Sequence, residues 1–207
     1  MKNEIKSIIE WLNEAYDINR TIEDFPKKLS WSDWFYISEY PNLSEEFIEK
    51  YKDKLNWLKI SLHQELSEEF IEKYKDKVHW LCISRHQILS EKFIIKYKDK
   101  VHWINITAFQ KLSESFIEEY EDKLNWYIIS RYQDLSEELM EKYKDNLYWN
   151  TISIFQKLSE PFIEKHEDDV NWYWVSMYQD LSEEFIEKHK DKINLKEINN
   201  RYDMDKN

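Results

Sequence analysis

Apolar and polar positions follow one another along this chain with a fixed period of 23 residues. A Leu-Ser pair recurs at Leu43, Leu66, Leu89, Leu112, Leu135, Leu158 and Leu181. Tryptophans keep the same spacing at Trp57, Trp80, Trp103, Trp126, Trp149 and Trp172, and Leu195 takes the place of tryptophan in the last copy. Because self-similarity at a fixed period is typical of repeat architectures, the pattern predicts seven stacked copies of one unit.

The first half of each unit predicts a helix that begins after the serine. Ser44 is a good N-cap, and Glu45 and Glu46 place negative charge in the first turn, where the helix dipole favours it. One apolar stripe is formed by Phe47, Ile48, Tyr51 and Leu55. The charged residues between them are expected to face water.

The second half of the unit predicts another helix, and both helices are expected to be about 8 to 11 residues long, which is marginal without neighbours. A common face is formed by Trp57, Ile60, Ser61 and Gln64. Either Asp53 or Asn56 could cap this helix, and we favour Asp53 as the turn residue because it recurs in every copy.

The sequence therefore predicts an all-α protein, an α-solenoid of seven 23-residue two-helix repeats. Residues 1–42 form the N-terminal cap, with an amphipathic helix from Asn3 to Ala15 and a degenerate repeat over residues 20–42. In that repeat the second-helix register is kept by Trp34, Ile37, Ser38 and Tyr40. Residues 43–195 form the solenoid and residues 196–207 a polar tail that frays, all within one continuous domain. The six repeat tryptophans are expected to form its core, each packing between its own unit and the next.

The amino-acid composition argues against several classes of function. The chain has no glycine, which excludes the glycine-rich loops that cradle phosphates, and its net charge of -12 argues against direct nucleic-acid binding. Cys82 is the single cysteine, so no internal disulfide and no cysteine-based zinc site can form. No apolar run reaches the roughly 18 residues of a membrane span, and Met1 to Asp17 does not resemble a signal peptide. We expect a cytoplasmic protein with no membrane contact.

Catalytic chemistry has little support in the sequence. The histidines occupy mostly equivalent positions in different units, so they are expected to lie too far apart to share a metal ion. Catalytic groups are normally unique rather than repeated seven times. The sequence predicts a protein that is not an enzyme and that carries no metal and no cofactor.

Two polar positions are kept across the copies on the tryptophan face. They are Ser61, Ser84, Thr107, Ser130, Ser153 and Ser176, and Gln64, Gln87, Gln110, Gln133, Gln156 and Gln179. One interpretation is that these side chains satisfy backbone groups at the turns between units. The other is a ladder of hydrogen-bond donors that lines an inner groove.

The residue before each glutamine is aromatic or histidine. This stripe consists of His63, His86, Phe109, Tyr132, Phe155 and Tyr178. It could extend the core, or it could stack flat ligands such as nucleotide bases.

The opposite side of the second helix varies between copies and is mostly apolar. The residues we expect to bind a partner are Leu81, Arg85, Ile104, Tyr127, Ile128, Arg131, Tyr173, Trp174 and Met177. Variation on a fixed scaffold is how repeat proteins present binding surfaces, and Tyr, Trp, Met and Arg are typical of interfaces. The alternative is that the second helices are buried on both sides.

The strings LSEEFIEKYKDKLNW (43–57) and LSEEFIEKYKDKVHW (66–80), with the linkage W-x-x-I-S-x-x-Q-x-L-S, resemble short helical repeat proteins of large DNA viruses and bacteriophages. The resemblance covers residues 43–194 and implies a viral or phage origin. It favours a host protein as the partner, with a defence component among the candidates.

Other functions remain as alternatives. The first is a sponge that sequesters a small nucleotide immune signal, with Arg85 and Arg131 as phosphate contacts. The second is an acidic mimic of nucleic acid, and the third is a plain structural scaffold.

Overall fold

A computed structural model of the protein describes residues 1–196 and 198. Regular structure in this part of the chain is helical, with no strand, and short helices repeat at the predicted period. The predicted all-α, solenoid-type fold is confirmed. The chain divides into two compact units, Met1–Ile106 and Thr107–Asn207, and the division falls within a helix.

The N-terminal segment consists of α1 (Lys2–Tyr16), a 3₁₀ turn (Ile22–Asp24) and α2 (Trp31–Ile37). The amphipathic helix is where the sequence placed it, and it buries Ile8, Ile9 and Leu12. The degenerate repeat has lost its first helix but keeps the second. Its Ser38 hydroxyl donates to the Trp34 carbonyl at 2.7 Å and accepts from the Asn56 backbone N–H at 2.8 Å.

The first helices of the repeats begin directly after the predicted serine caps. They are α3 (Glu45–Lys50), α5 (Glu68–Lys73), α7 (Glu91–Lys96), α9 (Glu114–Glu119), α11 (Glu137–Lys142), α13 (Glu160–Lys165) and α15 (Glu183–Lys188). In α3 the Ser44 hydroxyl accepts from the Phe47 N–H at 3.2 Å. Each helix has six residues, so the expected length of about 8 to 11 was wrong. The chain leaves the helix at Tyr51 and enters a turn that delivers Leu55 to the core.

The second helices each begin at the repeat tryptophan. They are α4 (Trp57–His63), α6 (Trp80–His86), α8 (Trp103–Phe109), α10 (Trp126–Tyr132), α12 (Trp149–Phe155) and α14 (Trp172–Tyr178). Each has seven residues and stops where the glutamine adopts an extended backbone, as at Gln64. Asp53 lies in the preceding turn, but the cap is Asn56, whose side-chain oxygen accepts from the Lys59 N–H at 3.0 Å.

Successive copies stack within each compact unit, and the half-buried tryptophans join them. In the first unit the Trp57 ring lies 5.0 Å from the Tyr74 ring of the next copy. In the second unit the Trp149 ring stacks on the His166 ring at 4.6 Å. Indole N–H groups are also bonded inside their own copies at Trp57, Trp80, Trp103, Trp149 and Trp172, as from Trp57 to the Lys52 carbonyl at 2.8 Å. The tryptophans thus hold both the turn within a copy and the contact to the next one.

The second unit has a continuous apolar core. It contains Met140, Leu147, Ile152, Leu158, Phe162, Ile163, Val170, Val175, Phe185, Ile193 and Ile198. The seventh copy continues past α15 into the helical residues Leu195 and Lys196. The predicted polar tail, residues 196–207, lies outside the described residues except for Lys196 and Ile198.

Candidate binding surface

The repeated glutamines are buried, and they bond backbone groups of their own copy and of the preceding copy. In the second unit the Gln156 side-chain oxygen accepts from the Leu135 N–H at 3.2 Å. Its amide nitrogen donates to the carbonyls of Gln133 at 2.8 Å and Ser130 at 3.1 Å. Gln64 makes the same three types of contact in the first unit. The interpretation that these side chains satisfy backbone groups is confirmed, and the interpretation as a ligand-binding ladder is wrong.

The repeated serines also use their hydroxyl groups to bond backbone groups. The Ser61 hydroxyl donates to the Trp57 carbonyl at 2.7 Å and accepts from the His79 N–H at 2.9 Å. Ser153 repeats this arrangement in the second unit, with Trp149 and Asn171 as partners. Each hydroxyl therefore links its own second helix to the start of the second helix in the next copy.

The acidic side chains of the first helices also bond groups in neighbouring copies. The Glu137 carboxylate accepts from the Ser159 N–H at 2.7 Å, and Glu141 pairs with Lys165 at 2.9 Å. Hydrogen bonds from Lys165 and then His166 lower the pKa of the Glu141 carboxyl below its usual value. Because lysines offset these carboxylates, the arrangement weighs against a mimic of nucleic acid.

The remaining candidate surface is the outer side of the second helices. Positions one, four, five and eight of the second-helix segment face the core, so positions two, three, six and seven face outward. We call these outward positions the second-helix face. In the second unit it comprises Tyr127, Ile128, Arg131 and Tyr132, then Asn150, Thr151, Ile154 and Phe155, then Tyr173, Trp174, Met177 and Tyr178.

Most of the residues predicted to bind a partner are exposed on this face. The exposed ones are Leu81, Arg85, Ile104, Tyr127, Arg131 and Tyr173, and the half-buried ones are Ile128, Trp174 and Met177. Burial on both sides of the second helices was therefore the wrong alternative. The third position is the most covered, with Cys82, Asn105 and Thr151 buried, and burial raises the pKa of the Cys82 thiol.

The aromatic stripe lies at the seventh position and is exposed along its whole length. Phe109 is 51% exposed and Tyr132 is 56% exposed, so these rings do not extend the core. In the first unit, desolvation of the ring lowers the pKa of His86, and the charges of Arg85 and His63 act in the same direction. The stripe and the variable positions form one surface.

The second unit carries the aromatic part of the second-helix face. The Tyr173 and Trp174 rings meet edge to face at 4.7 Å, and Tyr127 meets Tyr148 in the same way at 5.3 Å. Tyr148 was missed by the sequence analysis. It occupies the helix-cap position that is Asn or His in the other copies up to Asn171, makes no side-chain cap bond and is 53% exposed. A tyrosine at a position that is otherwise Asn or His is the sequence signal that could have identified Tyr148 as part of this surface.

Arg131 packs its guanidinium group against two stripe residues. Its central carbon lies 5.2 Å from the centre of the Tyr132 ring and 4.8 Å from the centre of the Phe155 ring of the next copy. Distances of this size are typical of cation–π contacts. The side chain predicted as a phosphate contact therefore bridges the aromatic stripe.

Two grooves lie beside the second-helix face in this unit. One, of about 400 Å³, is lined by residues that include Tyr127, Tyr148 and Asp169. The other, of about 310 Å³, lies between Phe109 and Tyr132. In the described part of the chain no three His, Cys, Asp or Glu side chains are placed to hold a metal ion.

No helix among the described residues is long and apolar enough to cross a membrane. Comparisons with protein-family models, with curated proteins and with solved structures found no match to this chain.

Proposed function

We propose that the protein is a cytoplasmic, non-catalytic repeat scaffold that binds a host-cell protein through its second-helix face. One contrast supports this proposal. The repeated Ser, Thr and Gln side chains of the tryptophan face are buried, and those of Gln156 and Ser61 bond backbone groups, whereas most of the residues that vary are exposed on the opposite side of the second helix. Variation confined to one exposed side of a regular scaffold is typical of binding surfaces in repeat proteins.

The composition of the face favours a protein as the partner. Tyr127, Tyr148, Tyr173, Trp174 and Arg131 lie on or beside it in the second unit, and no Glu or Lys occupies its outward positions there. Tyrosine, tryptophan and arginine are the residues that most often dominate binding energy at protein interfaces. The resemblance to viral and phage repeat proteins is the reason for proposing a host protein.

A nucleotide sponge is the second candidate function, and the exposed aromatic stripe is the observation that favours it. Exposed rings can stack bases without sequence preference. The guanidinium group of Arg131, however, already packs against Tyr132 and Phe155, which leaves fewer ring faces for a ligand.

The test is affinity capture of the tagged protein from a lysate of host cells, with three versions of the chain. The first is unchanged, the second carries Tyr127→Ala with Tyr173→Ala, and the control carries Glu138→Ala with Asp145→Ala on the first-helix side. We expect one stoichiometric protein with the unchanged chain and the control, and about tenfold weaker binding with the face variant. Circular dichroism checks that all three are folded.

Two results would contradict the proposal. Equal recovery of the partner by the face variant would place binding elsewhere. Release of a nucleotide by heat, together with thermal stabilisation by that nucleotide, would favour the sponge instead.

A further inference from the structure

Tyr127 and Tyr148 form an exposed aromatic corner in the second unit. Their ring planes meet at 85°, and their ring centres lie 5.3 Å apart. Tyr127 is 45% exposed and Tyr148 is 53% exposed, so both rings offer apolar surface to water. The groove of about 400 Å³ lies against this corner, and Asn150 and Asp169 also line it.

The tyrosine at position 148 takes the place of a helix cap. This position holds Asn or His in the other copies up to Asn171, and Asn125 and Asn171 cap their helices with the side chain. Tyr148 makes no such bond to α12, and its ring stays half exposed instead. Giving up a favourable cap for an exposed ring is expected where a side chain contacts another molecule.

Asn150 supplies a hydrogen-bond donor beside the corner. The Asn171 side-chain oxygen accepts from the Trp174 N–H at 3.3 Å, so the amide nitrogen of Asn171 is the end that reaches Asn150. That nitrogen donates to the Asn150 side-chain oxygen at 2.7 Å. Because its oxygen is used in this way, the amide nitrogen of Asn150 is the end that can donate to a chain bound in the groove.

We propose that this groove binds a proline-rich segment of the partner protein in the polyproline II conformation, an inference that rests on the proposed function. Grooves lined by aromatic rings are a recurring way in which proteins bind such segments. The carbonyl groups of a polyproline II helix make no internal hydrogen bonds, so they can accept from the amide of Asn150. The perpendicular rings of Tyr127 and Tyr148 give a proline ring two surfaces to pack against.

The charge at the groove favours this occupant over a nucleotide. Among the described residues that line the groove, only Asp169 is charged. A phosphate group would meet this carboxylate and no cation, whereas a proline-rich chain has no charge to be repelled. An amphipathic helix bonds its own carbonyls and would make no use of the Asn150 donor.

The test titrates fluorescein-labelled decaproline into the full-length protein and follows fluorescence anisotropy. Parallel titrations use a glycine-serine peptide of the same length and a helical peptide of leucine and glutamine, and adenosine monophosphate is added as a competitor. We expect saturable binding of decaproline, at least about tenfold tighter than that of the flexible glycine-serine peptide, because the polyproline II helix loses less conformational freedom on binding. The inference is overturned if decaproline does not saturate, if either other peptide binds as tightly, or if equimolar adenosine monophosphate displaces it.

Substitutions in the groove locate the binding site. Tyr148→Phe keeps the ring and should retain decaproline binding, whereas Tyr148→Asn removes the ring, introduces the cap residue of neighbouring copies and should weaken binding about tenfold. Asn150→Asp keeps the oxygen that accepts from Asn171 but removes the donor, so binding should fall severalfold. The control, Glu138→Ala with Asp145→Ala, should bind as the unchanged protein does. Circular dichroism checks that each variant is folded, and equal binding by Tyr148→Asn would overturn the inference.

The two proposals fail in different ways. If decaproline does not bind while the Tyr127 and Tyr173 variant still loses the captured protein, this inference fails and the proposed function stands. If decaproline binds in the groove but the unchanged chain captures no protein from the lysate, the groove is retained and the proposed function fails.

Discussion

At the scale of single residues, the glutamine that ends each second helix is the most heavily used polar group. Gln156 bonds one backbone N–H, that of Leu135 at the start of its own copy, and two carbonyls of the preceding copy, those of Ser130 and Gln133. Its side chain is buried, so water cannot replace these partners. A buried polar group left without a partner costs about 1–3 kcal/mol.

We therefore expect Gln156→Leu to lower the free energy of unfolding by about 3 kcal/mol or more, since a residue of similar size leaves three backbone groups unsatisfied. Urea denaturation followed by circular dichroism measures the change. Lys157→Ala, at the exposed neighbouring position, is the control and should stay within about 0.5 kcal/mol of the unchanged protein. A loss no larger than that of the control would show that these bonds contribute little.

At the scale of helices, caps matter because the helices are so short. Six or seven residues form too few turns to be stable alone, so side-chain caps and packing must supply the rest. Asn125 and Asn171 cap α10 and α14, but Tyr148 makes no side-chain cap bond to α12. The N-terminus of α12 is therefore the only one of these three that lacks a side-chain cap.

Tyr148→Asn should make the protein more stable than Tyr148→Ala by about 1 kcal/mol. Both changes remove the edge-to-face contact with Tyr127, so the difference between them isolates the cap. Thermal unfolding monitored by circular dichroism makes the comparison. Equal stability of the two variants would mean that asparagine cannot cap α12 as it caps α10. If tyrosine is kept here for binding, Tyr148→Asn should also weaken partner capture.

Sequence periodicity predicted the helices more accurately than their ends. The serine caps were predictable because Ser44 and its equivalents stand before an acidic first turn. Asn56 was one of two candidate caps, and the sequence alone did not choose between them because Asp53 is equally suited to a turn and the short helix length shifts the boundary. Periodicity also left the seventh position undecided. On a helix with 3.6 residues per turn, the seventh position, which His63 occupies in the first repeat, points about 110° away from the middle of the core-facing side. A side chain at that angle can be either buried or exposed.

At the scale of the whole molecule, ion pairs on the first-helix side join successive copies within each compact unit. Glu72 pairs with Lys96 in the first unit, and Glu141 pairs with Lys165 in the second. Hydrogen bonds from these lysines are the largest cause of the lowered pKa of the Glu72 and Glu141 carboxyls. The groups are exposed, so each contribution is small and is screened by salt.

Because the folded pKa of each carboxyl lies below its usual value of 4.5, the stabilisation is fully present above that pH. It is lost as the pH falls through the lowered pKa. We expect the melting temperature to fall on acidification by more in the unchanged protein than in the Lys96→Ala, Lys165→Ala variant, whose carboxylates lack these partners. Thermal melts in low salt measure the difference, and high salt should remove it. Identical acid profiles in low salt would contradict the prediction.

Within each compact unit, recurring hydrogen bonds between copies use the same positions from one copy to the next. The glutamine of one copy meets carbonyls at the end of the second helix of the preceding copy, and the first glutamate of a copy meets the serine N–H of the next. A copy therefore needs its neighbours but does not depend on which neighbours they are. Adding or removing a whole copy therefore leaves no buried donor without its acceptor, and each such change alters the number of exposed variable helices. The length of the variable surface therefore depends on the number of copies, whereas its chemistry depends on the residues at the outward positions.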